Sequence, residues 1–546
     1  MNLQKLFRLW PVLLIAGAGI LLITQPGSLT PESVVRQEAV RLMAPAGIPV
    51  ANANTTIATD PVSPSAINVA DIAPGQYDPD NQYDRWVRGE IDLDEEASFF
   101  TEAEWAAAMA EAAGLEADPE VDIAQTEGRA PSAGVAFDSI DIVDCCGSGA
   151  NVPPDPELAV GSNHVIAVVN VAFEIYDKTG TSVIGPLTFS SFFTGVSGCS
   201  GPFDPNALYD EEAGRYILGV DAGGANYCIA VSATSDPTGV WYRYAFAAAT
   251  PSANFFDYPH AGVGDNALYM GGNMYNCVST TCSFIESRIW AYDKAAMYSG
   301  SSASFVTASL GTSGFTPQPL NLHGFDQGTW PSTNTHLFMA GLNADNVRLF
   351  SWTNALTGGS PVLVTTYNLQ TITGVSSSEP LSFPQSGTGG DLQGNDSRPQ
   401  DFEYRNGYGW VTQAIGCNPG SGTVNCVRWA QINLSSLAVA DSGVYGSNGT
   451  YRSFPDLAVN HCDDMAVGYT KSSSSMFPGI WVTGRESSDS AGTLQAETQL
   501  KAGEITYTAF AGAPHRWGDY TEMTIAPDGL TFRYLGEHSK VTGSTS

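Results

Sequence analysis

The sequence predicts an all-β protein whose main domain, residues 134–546, is a seven-bladed β-propeller. A pattern of aspartate, short apolar strand, turn and longer strand, first seen in PDPELAVGSNHVIAVVNVAFEIYDK (residues 154–178), recurs six more times. Successive repeats are 49 to 75 residues apart, enough for four strands with turns and loops, and none has helical periodicity. The 57 glycines and a charged fraction of only 14% are typical of a large β domain with many turns.

The first 28 residues are predicted to be a signal peptide or membrane anchor. Lys5 and Arg8 precede an apolar run from Leu9 to Ile23, which is short for a membrane-spanning helix and typical of a secretory signal. Because no clean cleavage site of small residues follows, an uncleaved anchor stays open as an alternative. The protein is therefore expected to be secreted, periplasmic or held at the cell surface.

Residues 29–133 are rich in Ala, Pro and acidic side chains, and we expect a largely irregular linker that is partly ordered at most, or else packed against the side of the propeller. One helix is predicted near residues 101–113. Thr101 and Glu104 form a capping-box pattern ahead of an Ala-rich run, and Gly114 ends the pattern.

The last repeat is short of strands, because only two strand patterns follow Asp519. The alternating stretch Val135–Val143 is the expected N-terminal strand that closes this blade. The closing blade would then have three strands, unless the chain is truncated.

The charge balance restricts the partners. A formal net charge of −33 repels nucleic acid and anionic headgroups, so membrane contact is expected only through an uncleaved N-terminus. The acidity is consistent with solubility, and cation binding is the alternative. The expected partner is a polysaccharide or a protein outside the cell.

The nine cysteines indicate an oxidising compartment. Three disulfides are predicted, each beside a strand pattern: Cys277 with Cys282, Cys417 with Cys426, and Cys199 with Cys228. The pairing of Cys145, Cys146 and Cys462 stays open. A zinc site is the alternative, but no second matched pair of cysteines supports it.

Three stretches, PPDPELAVGSNHVIAVVNVAFEIYDKTG, CIAVSATSDPTGVWYRYAF and HRWGDYTEMTIAPDG, resemble a group of secreted bacterial β-propeller proteins of unassigned activity. The resemblance covers residues 135–540 and implies a propeller fold and export, but no catalytic residues. The Trp-x-Thr-Arg pattern of that group's final blade is absent. Ser235–Trp241 and Ser487–Leu494 weakly resemble the Asp-box turns of sialidase-like propellers.

The repeated aspartates are the first candidate site. If each begins an innermost strand, their carboxylates surround one end of the channel and could bind Ca²⁺ or another hard cation. Turn formation by each aspartate is the alternative. The series consists of Asp155, Asp204, Asp257, Asp326, Asp401, Asp456 and Asp519.

Arg398, Arg452 and Arg516 lie three or four residues before three of these aspartates and could converge on an anionic group, as in a sialidase. Such a site also needs a catalytic pair, for which Tyr404 or Tyr520 with Glu403 or Glu522 are candidates that the spacing does not single out. The alternative is that each arginine pairs with an aspartate of its own blade.

His260, His323 and His515 also lie near the aspartates, and could bind a transition metal or act as acid–base groups. No His-x-His or His-Glu-x-x-His motif supports a metal, so structural histidines are the alternative.

With no catalytic motif, the sequence favours a non-catalytic, exported module that binds a glycan, polymer or protein. Two alternatives remain: a glycoside hydrolase or lyase with an Arg/Asp site at the channel mouth, and a calcium-stabilised structural protein.

Overall fold

The computed structural model describes residues 19–23, 47–50, 53–57, 60–74, 100–119, 121, 125–129, 131, 133–141, 153–250, 252–278, 281–508 and 512–540. In these ranges no helix is both long and apolar enough to cross a membrane.

The N-terminal region contributes short elements. They are β1 (Gly19–Ile23), β2 (Ile48–Pro49), β3 (Thr55–Ile57), β4 (Ser65–Asn68), helix α1 (Glu102–Ala112), β5 (Gln125–Arg129) and β6 (Ala133–Asp138).

The remaining chain forms the sheets, which we number in chain order. Sheet 1 contains β7 (Glu157–Val160), β8 (His164–Val169), β9 (Ala172–Asp177) and β10 (Ser182–Thr188). Sheet 2 contains β11 (Pro202–Asp210), β12 (Arg215–Ala222), β13 (Asn226–Ser232), β14 (Val240–Ala247) and β4. Sheet 3 contains β15 (Phe255–Val263), β16 (Leu268–Val278), β17 (Thr281–Tyr292), β18 (Phe305–Gly311) and β3.

Sheet 4 contains β19 (Phe315–Pro319), β21 (Thr335–Asn343), β22 (Asn346–Thr353), β23 (Pro361–Asn368) and β2. Sheet 5 contains β20 (Asn321–Leu322), β24 (Pro399–Arg405), β25 (Tyr408–Cys417), β26 (Val424–Asn433) and β27 (Val439–Tyr445). Sheet 6 contains β28 (Tyr451–Val459), β29 (Met465–Ser473), β30 (Met476–Arg485) and β32 (Thr498–Lys501). Sheet 7 contains β33 (Glu522–Ile525), β34 (Phe532–Gly536), β1 and β6.

A small parallel pair joins β31 (Leu494–Ala496) to β5. Short helices connect strands: α2 (Phe189–Phe192), α3 (Lys294–Tyr298) and α4 (Leu369–Thr373), with 3-10 turns at Val69–Asp71 and Ala355–Thr357.

The sheets follow one another around a central channel. The strands β7, β11, β15, β19, β24, β28 and β33 contact one another in that order, and β33 contacts β7. The predicted all-β propeller class is confirmed. Because neighbouring sheets cover both faces of each strand, the strands are almost continuously apolar, as in His164–Val169, where every residue after His164 is buried.

The described strands of the N-terminal segment pair with the edge of the propeller. Strands β4, β3 and β2 pair with the outermost strands β14, β18 and β23 of three consecutive sheets. They cover backbone N–H and C=O groups that an open sheet edge would leave unpaired. These stretches therefore pack against the side of the propeller, which is the second of the two expected alternatives, and their short apolar runs give only a weak strand signal.

The predicted helix is confirmed as α1. Thr101 is its N-cap: the backbone N–H of Glu104 donates to Thr101 Oγ1 at 3.3 Å, and that of Thr101 donates to Glu104 Oε2 at 2.8 Å. The chain after α1 contacts the β25–β26 hairpin, where Asn418 Nδ2 donates to the carbonyl of Leu115 at 2.8 Å.

The last sheet contains an N-terminal strand, as predicted. This strand is Ala133–Asp138, and it pairs with Gly19–Ile23, which in turn pairs with Phe532–Gly536. The sheet therefore has four strands instead of the expected three. Residues 142–143 of the predicted strand lie outside the described residues.

All three predicted disulfides are present: Cys199–Cys228, Cys277–Cys282 and Cys417–Cys426. Cys462 is a free, exposed thiol. Cys145 and Cys146 lie outside the described residues.

Candidate active site

A short motif recurs where the innermost strands approach the channel. Six of the seven strands carry a residue, then proline, then a polar residue: Asp155-Pro156-Glu157, Asp204-Pro205-Asn206, Tyr258-Pro259-His260, Thr316-Pro317-Gln318, Arg398-Pro399-Gln400 and Phe454-Pro455-Asp456. The seventh carries Tyr520-Thr521-Glu522. Proline supplies no N–H to a strand ladder, so these steps interrupt the pairing.

The backbone is strained at these steps. The residue before proline has a positive φ in five strands: 45° at Asp155, 46° at Asp204, 60° at Tyr258, 46° at Thr316 and 55° at Phe454. Four of the five strands have a register shift there, and such bulges re-aim the following side chain. Left-handed backbone is costly for bulky and β-branched residues, and such strain concentrates at functional sites.

Most of the polar residues after these steps line a cavity of about 20 Å³ in the channel; Asp456 is the exception. Its carboxyl groups come from Glu157, Asp401, Glu403 and Glu522. The amides of Asn206, Gln318, Asn321 and Gln400 and the imidazole of His260 also line it.

Several of these carboxyl groups keep their protons at neutral pH. Burial is the main cause that raises the pKa of Glu157, to about 8. Burial and the charges of neighbouring carboxylates raise the pKa of Asp401, Asp456 and Glu522 well above the usual range. Because like charges this close cannot all ionise, the four groups share protons.

Some of the polar residues that follow these steps also join neighbouring sheets through hydrogen bonds. The backbone N–H of Ala207 donates to Glu157 Oε2 at 3.2 Å, and that of Met523 donates to Asp456 Oδ1 at 2.9 Å. Gln318 Nε2 donates to the carbonyl of Pro399 at 2.8 Å. In contrast to these hydrogen-bonded atoms, His260 Nε2 and Asp401 Oδ2 have no hydrogen-bond partner among the described residues.

Glu403 is held by a buried ion pair. His323 Nε2 lies 3.0 Å from Glu403 Oε2, and His323 Nδ1 lies 3.1 Å from Glu211 Oε1. Burial alone lowers the pKa of His323, but the charges of these two glutamates raise it to about 10. The imidazolium therefore joins three strand regions of the propeller.

The channel mouth beside the cavity is built from hydrogen-bonded polar groups. Asp155 Oδ1 accepts from the backbone N–H of Asp519 at 2.8 Å, and Asp204 Oδ2 accepts from the Tyr520 hydroxyl at 2.8 Å. The Tyr258 hydroxyl donates to the carbonyl of Asp519 at 3.0 Å, and its ring stacks on that of Tyr520 at 4.8 Å.

The seven aspartates of the series do not form one ring. Asp155, Asp204 and Asp519 meet at the mouth, whereas Asp401 and Asp456 lie with the cavity carboxyls. Asp257 lies near Asp204 and Asp221. Asp326 is exposed on a loop, because its blade approaches the channel at Thr316-Pro317-Gln318 instead.

The three arginines do not converge on one point. Arg398 pairs with Asp396 through Nε at 2.6 Å and lies 3.6 Å from the centroid of Tyr258. Arg516 binds Asp519 at 2.5 Å, near the same mouth. Arg452 contacts Glu497 at 3.1 Å, among different neighbours.

The three histidines occupy different places. His260 lines the cavity, and His323 forms the ion pair with Glu211 and Glu403. His515 lies apart from them, with Nε2 2.8 Å from the carbonyl of Gly389.

Across the described ranges, no group of three or more His, Cys, Asp or Glu side chains is placed to hold a metal ion. The predicted calcium site stays a prediction.

The stretch Ser235–Trp241, which weakly resembles an Asp box, forms a turn. Asp236 Oδ1 accepts from the backbone N–H of Thr238 at 3.0 Å, and the indole of Trp241 donates to the carbonyl of Pro237 at 2.8 Å. This turn joins β13 to β14.

The aspartate repeat missed several cavity residues. Glu157, Asn206 and Gln318 follow an X-Pro step. The repeat also missed Glu211 of the β11–β12 turn, which lies outside the cavity and contacts His323. The recurring X-Pro-polar motif was visible in the sequence and would have identified the first three.

No protein-family model and no curated protein matches the chain. Similar solved structures include an endo-arabinase from Bacteroides thetaiotaomicron, with 10% identity, 56% of this chain and 95% of that chain covered, and a TM-score of 0.27. An arabinanase from Bacillus subtilis has 10% identity, coverage of 63% and 97%, and a TM-score of 0.27. The Dos1 propeller has 9% identity, coverage of 71% and 93%, and a TM-score of 0.29. At these identities the likeness concerns the fold alone.

The prediction of a non-catalytic binding module is wrong. It depended on the lack of a recognisable catalytic set. Several of the compared structures bear glycoside hydrolase names, which describe those proteins. In this chain the fold brings together carboxyl groups that no linear motif reveals, so the lack of such a motif does not exclude catalysis.

Proposed function

We propose that the protein is a glycoside hydrolase whose catalytic carboxyl groups are Glu157, Asp401 and Glu522 in the channel. The observation that carries the proposal is the cavity that these three side chains line together. They come from strands β7, β24 and β33, which the sequence separates widely and the ring brings together.

Hydrolysis of a glycosidic bond needs one carboxylic acid and one carboxylate on either side of the bond. A buried set of carboxyls that shares protons supplies both forms at the same pH. Glu157, with its pKa raised to about 8, is suited to donate a proton to the leaving oxygen. Asp401 belongs to the same proton-sharing set, and in its ionised form its Oδ2, which has no partner among the described residues, can act as the base.

This site lies deeper than the Arg/Asp mouth that the sequence suggested. Arg398 and Arg516 are already paired with Asp396 and Asp519. Their charges are therefore compensated within the protein, and the proposed substrate is a neutral polysaccharide.

The test is hydrolysis of a panel of arabinan, galactan, xylan and aryl glycosides by the purified protein. Asp401→Asn, Glu522→Gln and Glu157→Gln should each lower kcat on the order of 100-fold or more, because acid–base groups contribute about 10²–10⁴. Asp326→Asn is the matched control: it removes an exposed carboxylate of the same sequence repeat and should leave kcat unchanged. No turnover on any substrate, or full activity in all three cavity variants, would contradict the proposal.

We propose seven blades for the propeller. The support is the series of seven sheets with four or five strands, whose innermost strands contact one another in a closed order. A crystal structure would test the number directly.

We propose that the protein works outside the cytoplasm. The three disulfides support this location, because such bonds persist in oxidising compartments. Cell fractionation with thiol labelling would test it, and recovery of the reduced protein from the cytosol would contradict it.

A further inference from the structure

We infer that partly exposed aromatic side chains of sheets 2 and 3 and of helix α1 form a platform on which a neutral polysaccharide chain lies beside the channel mouth. This inference rests on the proposed function and names the surface that binds its substrate. The cavity of about 20 Å³ has room for about one water molecule, so a polysaccharide must be bound mainly on the face outside it.

The first part of the platform is a pair of nearly parallel rings at the mouth. The rings of Phe203 and Phe255 have centroids 6.2 Å apart and planes that differ by 12°. Both side chains are partly exposed. Phe203 comes directly before Asp204, whose carboxylate accepts a hydrogen bond from the Tyr520 hydroxyl at the mouth. The pair therefore lies beside the channel and exposes aromatic surface to solvent.

The platform continues along the β16–β17 hairpin. Phe255 pairs with Tyr275 of β16, and the ring of Tyr275 contacts that of Phe284 with centroids 5.8 Å apart. Phe284 is partly exposed, and Val278 near the tip of the hairpin is 71% exposed. The disulfide Cys277–Cys282 joins the two strands of the hairpin at this point. Apolar surface is therefore held on a cross-linked element next to the two parallel rings.

Helix α1 extends the aromatic surface to sheet 4. The ring of Phe100, just before the helix, lies 6.0 Å from that of Phe315 in β19 and 5.9 Å from that of Trp105 in α1. Phe100 and Trp105 are both partly exposed. Phe315 comes directly before the X-Pro step of sheet 4, which is the position that Phe203 has in sheet 2. The aromatic side chains therefore follow the mouth from sheet 2 to sheet 4.

Aromatic faces and neutral sugars are chemically complementary. The face of an aromatic ring is negative and attracts the polarised C–H groups on the apolar side of a sugar ring. Sugar hydroxyl groups need polar partners, and the carboxylate of Asp257, partly exposed two residues after Phe255, can accept hydrogen bonds from them. Aromatic surface with a few well-placed polar groups is the usual composition of a site for a small organic ligand.

The charges favour a neutral polymer over an acidic one. The net charge of −33 repels polyanions, and the charges of Arg398 and Arg516 at the mouth are already compensated by aspartates. A protein partner would favour one continuous apolar patch. Here the exposed polar residues Asn276 and Ser283 interrupt the apolar surface, as a ligand rich in hydroxyl groups requires.

The first experiment measures retention of the protein in native gels that contain arabinan, galactan, xylan or the acidic polymer polygalacturonate. Phe203→Leu and Phe255→Leu keep an apolar side chain but remove the aromatic face, so each should weaken binding of the retained neutral polymer about 10-fold. Phe203→Tyr and Phe255→Tyr keep the face and should bind within about twofold of the wild type. These variants separate the loss of the aromatic face from a general disturbance of the fold.

Phe325→Leu is the matched control. Phe325 is also partly exposed, but its backbone N–H donates to Glu211 of the β11–β12 turn, at the end of β11 opposite to the mouth. Retention of this variant should equal that of the wild type.

Several results would overturn the inference and leave the hydrolase proposal intact. They are equal retention of the wild type and both leucine variants, equal weakening in the tyrosine variants or in Phe325→Leu, no retention by any neutral polymer, and stronger retention by polygalacturonate than by every neutral polymer. Conversely, loss of retention in the leucine variants of a protein that hydrolyses no substrate of the panel would support the platform and overturn only the hydrolase proposal.

The second experiment separates the platform from the catalytic groups by kinetics. On the polysaccharide that is cleaved, each leucine variant should raise KM about 10-fold with kcat within about twofold, because it removes binding that is equal in the ground state and the transition state. On an aryl glycoside with one sugar, both constants should stay unchanged, because so short a substrate does not extend over the platform. A fall in kcat on the aryl glycoside would overturn the inference.

Discussion

At the scale of single residues, the site depends on an X-Pro step that interrupts the extended backbone of the innermost strand and is repeated in most of the sheets around the channel. Pairing in a strand favours extended backbone, whereas an X-Pro step removes an N–H and here accompanies a left-handed residue. Thr316 and Phe454 adopt this conformation although their side chains disfavour it. The surrounding sheet pairing compensates for the strain, and the following polar side chain faces the channel.

The buried charges make stability depend on pH. In the folded protein His323 keeps its proton up to about pH 10, against about 6.5 when unfolded. A raised pKa contributes stability that is complete below about pH 6.5 and is lost as the pH rises through 10. Glu157 acts in the same direction, since its contribution is complete below about pH 4.3 and is lost as the pH rises through about 8.

We therefore expect the urea midpoint to fall between pH 6 and pH 9.5. His323→Gln should be less stable by about 3–5 kcal/mol at pH 6, because it leaves Glu211 and Glu403 buried without their cation. It should also show a smaller difference between the two pH values than the parent. All measurements should use a Cys462→Ser background, so that the free thiol does not exchange with disulfides at high pH. An equal pH dependence in both proteins would contradict this prediction.

At the scale of elements, the sequence identified what depends on local chemistry. The capping box predicted α1, and the cysteine spacing predicted three loops closed by disulfides. The edge strands Ile48–Pro49, Thr55–Ile57 and Ser65–Asn68 were missed because their pairing partners lie 172 or more residues later in the chain. Non-local pairing of such short strands leaves little periodic signal in the sequence.

For the site, too, the aspartate pattern predicted only part of what the structure shows. It located Asp155, Asp204, Asp401 and Asp456 on channel-facing strands, but placed Asp326 in the ring, where the structure has Gln318. Which residue of a strand reaches the channel depends on a bulge, and a shift of one residue turns a side chain to the opposite face. Spacing alone does not reveal such a shift.

The disulfides should contribute in the order of the loops that they close. Loop-closure entropy gives about 3.6 kcal/mol for Cys199–Cys228, with a sequence separation of 29, and about 2.2 kcal/mol for Cys277–Cys282, with a separation of 5. Replacing both cysteines of each pair by alanine and comparing urea unfolding would measure the difference. A larger loss from the Cys277–Cys282 pair would show that local packing, not loop length, sets the contribution.

At the scale of the whole molecule, the closed ring unites groups that the chain separates. Asp155 near the first sheet accepts a hydrogen bond from Asp519 near the last, 364 residues away. The cavity carboxyls come from the first, fifth and seventh sheets. The site therefore depends on complete closure, and opening the ring anywhere should separate the acid from the base.

The net charge of −33 opposes this closure through self-repulsion. Raising NaCl from about 0.05 M to about 0.5 M shortens the screening distance below about 10 Å and should raise Tm, since exposed charges are screened more than buried pairs. Scanning calorimetry would measure the shift, with CaCl₂ at matched ionic strength as the control for specific binding. An equal rise in both salts is the result expected from screening. A rise with micromolar CaCl₂ that is reversed by a chelator, with no effect of NaCl, would contradict the screening account and support a bound calcium ion instead.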